Sequence, residues 1–277
     1  MEIKNRVLKM LMVISLAALA FGFLLPIGYA LVTSLKSESE ILARNLAFFP
    51  RRLIFDNYAY VFSRGAKYLT YYQNSIVITL SGVALTAVLS SMAGYAFAKL
   101  PFKGRDVIML FILFVIAFPL AAIIIPIYIM EFNLNILNTN LGLILPNVMT
   151  VLPFSTFVMR GIFMSIPNEL EESAEIDGCG VFMTWLRIML PNAKNGLAIV
   201  IIFSFYNIWG EYLLGKTLAT EDSAMPIAVA LTLVKGESWN FGVLGAVIVL
   251  AILPPVLIFI IFQKQLVKGL MQGAVKG

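Results

Sequence analysis

Residues 107–130 read VIMLFILFVIAFPLAAIIIPIYIM, a run without a charged side chain between Asp106 and Glu131. A helix needs about 20 apolar residues to cross a hydrocarbon layer of about 30 Å, so this run is long enough to span a membrane. It does not alternate between apolar and polar residues as the strands of an outer-membrane barrel do. Because backbone groups in lipid must be bonded internally, the run favours a transmembrane helix.

Comparable windows recur along the 277-residue chain, which is 60% hydrophobic and only 13% charged. Their bounding charges are Lys9 and Lys36, Lys67 and Lys99, Asp106 and Glu131, Glu131 and Arg160, Lys194 and Glu211, and Glu237 and Lys264. The windows predict six spans at about 10–35, 72–98, 107–130, 141–160, 195–214 and 241–262. We therefore predict an all-α polytopic membrane protein, in which residues 1–277 form a single transmembrane domain.

Basic residues flank these spans unequally. Six spans place both termini on one side of the membrane, and that side carries the groups around Lys4, Lys103, Lys194 and Lys268. Lys and Arg accumulate in cytoplasmic loops, so we predict a multi-pass protein of the cytoplasmic (inner or plasma) membrane with both termini in the cytoplasm. A loop at about 36–73 runs against this bias, with Lys36, Arg44, Arg51, Arg52, Arg64 and Lys67 on the other side.

The charge pattern also bears on partners and processing. The net charge of +5 comes from basic residues that lie in small groups beside apolar runs. This distribution is typical of the segments that flank membrane spans, so we expect a lipid bilayer, and no nucleic acid, as a partner. Ala18-Leu19-Ala20 near the N-terminus is typical of a signal-peptide cleavage site. Since no charge follows until Lys36, we expect this segment to remain as a membrane anchor.

The sequence offers little catalytic chemistry. It has no histidine and one cysteine, Cys179, so the commonest general base and metal ligand is missing and no internal disulfide can form. We predict no catalytic residue, no metal and no cofactor bound by this chain. A phosphate-loop pattern does occur at Gly210, Gly215, Lys216 and Thr217. Such a loop needs a preceding strand and an acidic magnesium ligand, whereas this one follows an apolar run, so we interpret the match as coincidental.

A polar stretch at about 164–192 separates the fourth and fifth predicted spans. Pro167 followed by Asn168 and Glu169 predicts a helix start with acidic side chains in its first turns. Gly178 and Gly180 interrupt that helix, and a second short helix is predicted before Pro191. The stretch should form a compact helix–turn–helix element on the cytoplasmic side.

This element carries a family pattern. Glu172-Ser173-Ala174, then Gly178, then Ile188-Met189-Leu190-Pro191 resembles the EAA loop of ABC importer permeases, with Ser173 in place of the usual alanine. That pattern is Glu-Ala-Ala, three residues, Gly, nine residues, Ile-x-Leu-Pro. Further fragments resemble the maltose-type carbohydrate permeases: Ser34-Leu35-Lys36, Asn57-Tyr58, Asn74-Ser75, 93–98 (AGYAFA), 102–105 (FKGR) and the tail 268–277 (KGLMQGAVKG). The length and the glycine-rich tail are similar to the shorter, G-type subunit of such importers.

The resemblance implies a function and partners. The chain would form, with a second unlike permease, an ATP-driven alternating-access pathway for a sugar or oligosaccharide supplied by an extracytoplasmic sugar-binding protein. The loop would be the coupling helix on an ATPase subunit dimer, which would bind the ATP and Mg, and the tail at about 263–277 would reach the same subunits. The implied coupling residues are Glu172, Ser173, Ala174, Asp177, Gly178, Ile188, Leu190 and Pro191, and the implied tail contacts are Gly273, Ala274 and Lys276.

Polar side chains in the fourth and fifth spans are candidates for the substrate path, because polar groups inside a membrane are costly. Asn207 and Glu211 stand four residues apart and share one helical face, where they could bond sugar hydroxyls. Tyr206 or Trp209 could stack on a sugar ring, and Asn147 is a further candidate. The alternative is that these side chains bond neighbouring helices.

Two other classes of function compete with the importer. A stand-alone secondary carrier of a small polar solute is compatible with six spans, but the chain lacks a mid-span carboxylate for ion coupling, and the pattern from Glu172 to Pro191 stays unexplained. A membrane enzyme has few candidate groups in a chain without histidine. Co-purification of an ATPase partner would separate the importer from both.

Overall fold

The computed structural model describes residues 2–43, 47–63, 67–233 and 240–274, and regular structure in these ranges is helical. The helices are α1 (Glu2–Ser34), α2 (Glu38–Ile41), α3 (Asp56–Val61), α4 (Tyr68–Lys99), α5 (Arg105–Val115), α6 (Leu120–Asn133), α7 (Asn140–Met164), α8 (Glu169–Ile176), α9 (Val181–Thr184), α10 (Leu190–Asn192), α11 (Lys194–Trp209), α12 (Leu213–Leu218), α13 (Ile227–Ala230) and α14 (Phe241–Ala274). A π-helical turn, Trp185–Met189, joins α9 to α10. The predicted all-α class is confirmed.

Four helical stretches are long and apolar enough to cross a membrane: Leu8–Ser34, Tyr68–Lys99, Asn140–Met164 and Phe241–Gln263. Two bent helix pairs also qualify, Arg105–Val115 with Leu120–Asn133 at 96° and Val181–Asn192 with Lys194–Trp209 at 82°. The total is six if each bent pair counts as one span. The chain is therefore a multi-pass membrane protein.

The predicted span at 107–130 is not one straight helix. α5 ends at Val115. Each of the next three N–H groups donates to the carbonyl oxygen three residues earlier: Ile116 donates to Leu113 O at 3.1 Å, and Phe118 donates to Val115 O at 3.2 Å. Pro119 then precedes α6 with ψ at 132°. Proline has no N–H and disfavours a helical residue before it, which accounts for the break. Likewise, the predicted span at 195–214 begins in α11 but leaves the helix after Trp209.

The chain falls into two compact units. The first comprises Met1–Leu69 and Leu231–Leu253, and the second Thr70–Ala230 and Pro254–Gly277. In the first unit, Asn57 donates to Ser34 O at 2.9 Å and Lys36 O at 3.0 Å, and the hydroxyls of Tyr58 and Ser34 lie 2.8 Å apart. The two bonds of Asn57 satisfy backbone acceptors at and just after the C-terminal end of α1.

The second unit contains the long helices that position the candidate site. A Cβ on Gly94 would lie 2.6 Å from Cβ of Met159, and one on Gly196 would lie 2.5 Å from Cγ1 of Ile162. The backbones of α4 and α11 therefore approach α7 more closely than a larger residue would allow, as is usual where membrane helices pack. Met159 and Phe163 are fully buried in the resulting core.

Candidate functional site: the 164–192 loop

The first half of the loop is a short acidic helix with a defined end. Glu169, Glu171 and Glu172 occupy the first turn of α8, where carboxylates are favourable next to the helix N-terminus. Gly178 follows with φ at +77°, and its N–H bonds Glu175 O at 3.0 Å while Cys179 N–H bonds Ala174 O at 2.9 Å. This pair of bonds is a Schellman motif, which requires a left-handed residue and favours glycine at that position. The predicted glycine turn is present at Gly178.

The second half inserts side chains into the helical core. Trp185 and Met189, from the π-helical turn, pack with Tyr95 and Phe163, and Leu190 packs against the same cluster. A fully buried aromatic side chain contributes about 1.5–3 kcal/mol, so this cluster fixes the loop to the ends of α4 and α7. Ile188 is half-buried and Pro191 is exposed.

Polar contacts tie the loop to α4. The Tyr95 hydroxyl donates to Glu171 Oε1 at 2.5 Å, and Lys99 Nζ donates to Ile166 O at 2.7 Å and to the side-chain oxygen of Asn168. Neither Tyr95 nor Lys99 was predicted as a site residue. Tyr95 belongs to the AGYAFA fragment at 93–98, which resembles the carbohydrate permeases. That resemblance marked the fragment but did not show which residue Tyr95 contacts.

The exposed side of the loop combines acidic and apolar groups. Glu172, Ser173, Asp177 and Gly178 are exposed, whereas Ala174 is only 1% exposed and faces inward. Three apolar side chains missing from the sequence-based set are also exposed: Ile176 (87%), Val181 (55%) and Phe182 (58%). We call Glu172, Ile176, Val181 and Phe182 the outer face of the loop. Its apolar area suits a protein partner.

The candidate path residues do not all come together. Asn207 and Glu211 line a cavity of about 260 Å³ with Thr150 and apolar side chains of α5 to α7. Asn147 is buried and donates to Leu143 O at 2.8 Å, in its own helix. Tyr206 donates to Pro255 O at 2.8 Å, and Trp209 stacks on Phe205 with ring centroids 5.8 Å apart. Tyr206 thus bonds α14, and Trp209 also packs edge to face on Tyr72 of α4, as the alternative predicts, whereas the hydrogen bond of Asn147 lies within its own helix.

Glu211 also has a local structural contact. Its carboxylate accepts the N–H groups of Leu214 at 2.9 Å and Gly215 at 3.1 Å, in the first turn of α12. The phosphate-loop match thus follows helix α11, and two of its amides already bond a carboxylate. A Cβ on Gly215 would lie 2.6 Å from Pro226, while Lys216 is exposed and Thr217 is half-buried.

The tail residues Gly273 and Ala274 form the last part of α14, and Lys276 lies outside the described residues. In the described residues no group of three or more Cys, Asp or Glu side chains is arranged to hold a metal ion.

Comparison with known proteins identifies the family. Residues 73–272 match the model of the binding-protein-dependent transport system inner membrane component. The chain belongs to this family. Permease subunits of the family include the arabinooligosaccharides transport system permease protein AraQ of Bacillus subtilis, 32% identical over 94% of this chain and 92% of that protein. The sulfoquinovosyl glycerol transport system permease protein SmoH of Agrobacterium fabrum is 33% identical over 97% of this chain and 94% of that protein.

The fold of this permease is likewise similar to a solved one. A chain in the crystal structure of a bacterial ABC transporter involved in the import of the acidic polysaccharide alginate superposes with a TM-score of 0.82, at 24% identity, over 94% of this chain and 97% of that chain. The predicted transport permease class is confirmed, and the family match includes both the loop and the cavity.

Proposed function

We propose that this permease forms, with a second unlike permease, an alternating-access pathway through which a sugar or oligosaccharide enters the cell. An extracytoplasmic binding protein delivers the sugar, and an ATPase dimer binds ATP and Mg and drives the cycle. Relatives named for arabinooligosaccharides and maltodextrin support a saccharide substrate. The observation that carries the proposal is the 164–192 loop, with an exposed outer face on a buried and tethered base.

This construction suits the transmission of movement. The ATPase dimer docks on the outer face, and its closure displaces the loop. Since Trp185 and Met189 are buried against α4 and α7, the loop moves with those helices as one body. Two arrangements of the helices then expose the pathway to opposite sides, and the ATPase states select between them.

The pathway wall includes the cavity lined by Asn207 and Glu211. Asn207 is exposed to it, and its amide retains hydrogen-bonding capacity for sugar hydroxyls beyond its bond to Phe203 O. Nucleotide does not bind at Gly210–Thr217 in this proposal, because Glu211 already bonds the amides of Leu214 and Gly215.

The experiment that tests docking uses the purified complex reconstituted in vesicles. In the double variant Ile176→Ser/Phe182→Ser we expect the ATPase subunits to detach, or substrate-stimulated hydrolysis to fall at least about tenfold, which corresponds to about 1.4 kcal/mol. Leu42→Ser is the matched control, since Leu42 is 64% exposed and lies outside the loop. Full coupled transport by the double variant contradicts the docking assignment. Ion-driven uptake by the chain alone would favour the secondary carrier.

A further inference from the structure

Residues 48–55 read Phe-Phe-Pro-Arg-Arg-Leu-Ile-Phe and form what we call the arginine–phenylalanine segment. Four of its large apolar side chains are exposed: Phe48 (47%), Phe49 (73%), Leu53 (60%) and Phe55 (63%). Both arginines, Arg51 and Arg52, are exposed as well. The segment precedes residue 73, where the match to the family model begins.

Two contacts place the segment level with the end of a membrane span. The N–H of Ile54 donates to Leu35 O at 3.0 Å, and Lys36 Nζ donates to Ala47 O at 2.5 Å. Leu35 and Lys36 directly follow Ser34, the last residue of the span Leu8–Ser34. Ile54 in the segment and Ala47 just before it are thus bonded to the two residues that directly follow the last residue of α1.

The segment is also held in a defined conformation. The N–H of Arg51 donates to Glu40 Oε1 at 2.8 Å, and the rings of Phe48 and Phe49 pack edge to face with centroids 5.1 Å apart. A surface depression of about 400 Å³ lies beside it and is lined by both arginines together with Ser37, Ser39, Glu40, Ala43 and Ile54. The Glu40 carboxylate, the one acidic group in this lining, is engaged by the Arg51 amide.

We infer that the arginine–phenylalanine segment binds the bilayer surface, with Arg51 and Arg52 pairing with the phosphates of anionic phospholipid headgroups. Phe and Leu side chains of a segment that lies on a membrane insert at the boundary between headgroups and acyl chains. Guanidinium groups pair with phosphate through two parallel hydrogen bonds. This role accounts for arginines in a loop that runs against the charge bias of the other loops, and it does not depend on the proposed transport function.

Site-directed fluorescence in the reconstituted complex tests the inference. Cys179→Ser removes the one native thiol, and Phe49→Cys then carries an environment-sensitive fluorophore. We expect nitroxide-labelled phospholipids to quench this fluorophore. Glu221→Cys is the matched control, since Glu221 is exposed in the polar stretch before α13, outside the outer face of the loop, and is expected to remain unquenched.

The contradicting outcomes are distinct. Quenching at position 49 by a water-soluble quencher, with protection only when the binding protein is added, would assign the segment to protein docking. Shielding from both lipid and aqueous quenchers would mean that the partner permease covers it. Either result overturns the inference.

The charge is tested separately, by comparing nitroxide phosphatidylglycerol with nitroxide phosphatidylcholine. We expect nitroxide phosphatidylglycerol to quench more strongly than nitroxide phosphatidylcholine at low salt. Arg51→Gln/Arg52→Gln should reduce this preference by about fivefold per arginine, which is the factor by which one basic residue increases binding to an anionic membrane surface. Arg51→Lys/Arg52→Lys keeps the charge and should retain most of the preference. Equal quenching by the two lipids in the unaltered segment refutes the anionic-headgroup assignment.

Discussion

Gly178 and Gly180 lie two residues apart in the loop, but only Gly178 has a positive φ, +77°, while Gly180 has φ at −74°. A Cβ on either meets nothing within 4 Å, so alanine differs between them in backbone strain alone. We expect Gly178→Ala to cost about 1–2 kcal/mol locally and to reduce substrate-stimulated ATP hydrolysis, and Gly180→Ala to leave it unchanged.

Gly178→Asn refines this comparison, because asparagine tolerates the left-handed conformation better than alanine. It should recover part of the lost activity in the same hydrolysis and co-purification assays. Equal effects of alanine at the two positions would show that the left-handed turn is not what coupling requires.

Asn207 and Glu211 share a cavity but differ in their local bonds. Asn207→Ala should change the half-saturation for sugar without altering thermal stability. Glu211→Ala also removes the acceptor for two amides of α12, a capping loss of about 1 kcal/mol, so it should lower the melting temperature as well. Transport kinetics and thermal unfolding of the complex check the two together. Unchanged half-saturation in both variants removes this cavity from the path.

Glu131 has both carboxylate oxygens buried without a hydrogen-bond partner among the described residues, and the side chain is 1% exposed. A Cβ on Gly142 would lie 2.9 Å from its Oε2, so the surroundings are closely packed. We expect Glu131→Met to raise stability by about 1–3 kcal/mol, since an apolar side chain of similar length leaves no polar atom buried without a partner. Thermal unfolding is the measurement, with the exposed Glu175→Met as control. A lowered melting temperature would mean that the carboxylate finds a partner in the assembled complex.

At the scale of elements, the decisive feature is the connection between α4 and the 164–192 loop. Tyr95→Phe deletes the hydroxyl bonded to Glu171 and preserves the ring contact with Phe163, whose centroid lies 5.7 Å away. A hydrogen bond to a charged group contributes about 1.5–3 kcal/mol. We expect the variant to fold and retain its ATPase partners but to hydrolyse more ATP per sugar transported.

The ratio of hydrolysis to uptake in vesicles measures that coupling. Tyr206→Phe is the control, because it removes a hydroxyl bonded to Pro255 O away from the loop. An unchanged ratio in Tyr95→Phe would confine the role of this contact to local packing.

At the scale of the whole molecule, six spans would put both termini and the 164–192 loop on one side of the membrane, and the bias of Lys and Arg predicts that this side is the cytoplasm. In Cys179→Ser cells, Lys103→Cys, exposed between α4 and α5, should react with a membrane-impermeant thiol reagent only after the membrane is opened. Leu42→Cys, exposed in the loop after α1, should react in intact cells. The reverse pattern would invert the proposed orientation. Labelling of intact and permeabilised cells provides the measurement.

Much of the fold follows from composition and spacing. Long charge-free runs have to become helices in lipid, because their backbone groups find no partners elsewhere. The turn at Gly178 was likewise predictable, since local steric preference selects glycine for a left-handed position. Glu172, Ser173 and Asp177, which the motif implies as ATPase contacts, are exposed, and their contact with an ATPase stays a prediction.

Other features depend on which side chains meet after folding. Pro119 favours a break in the helix, but hydropathy is high on both sides of it, so the sequence at 107–130 did not indicate a bend as large as 96°. The sequence also did not show that Ala174 is buried, that Tyr95 bonds Glu171, or that Glu211 bonds the amides of α12.

The sequence alone settles the helical class, the family and the loop at Gly178, because each rests on local composition or on residues close along the chain. Only the tertiary structure decides which polar residues share a cavity and which face of the loop remains exposed. Tyr95 and Glu171, for example, are separated by 76 positions. Contacts over such distances depend on how the helices pack, and a pattern read along one segment does not contain that information.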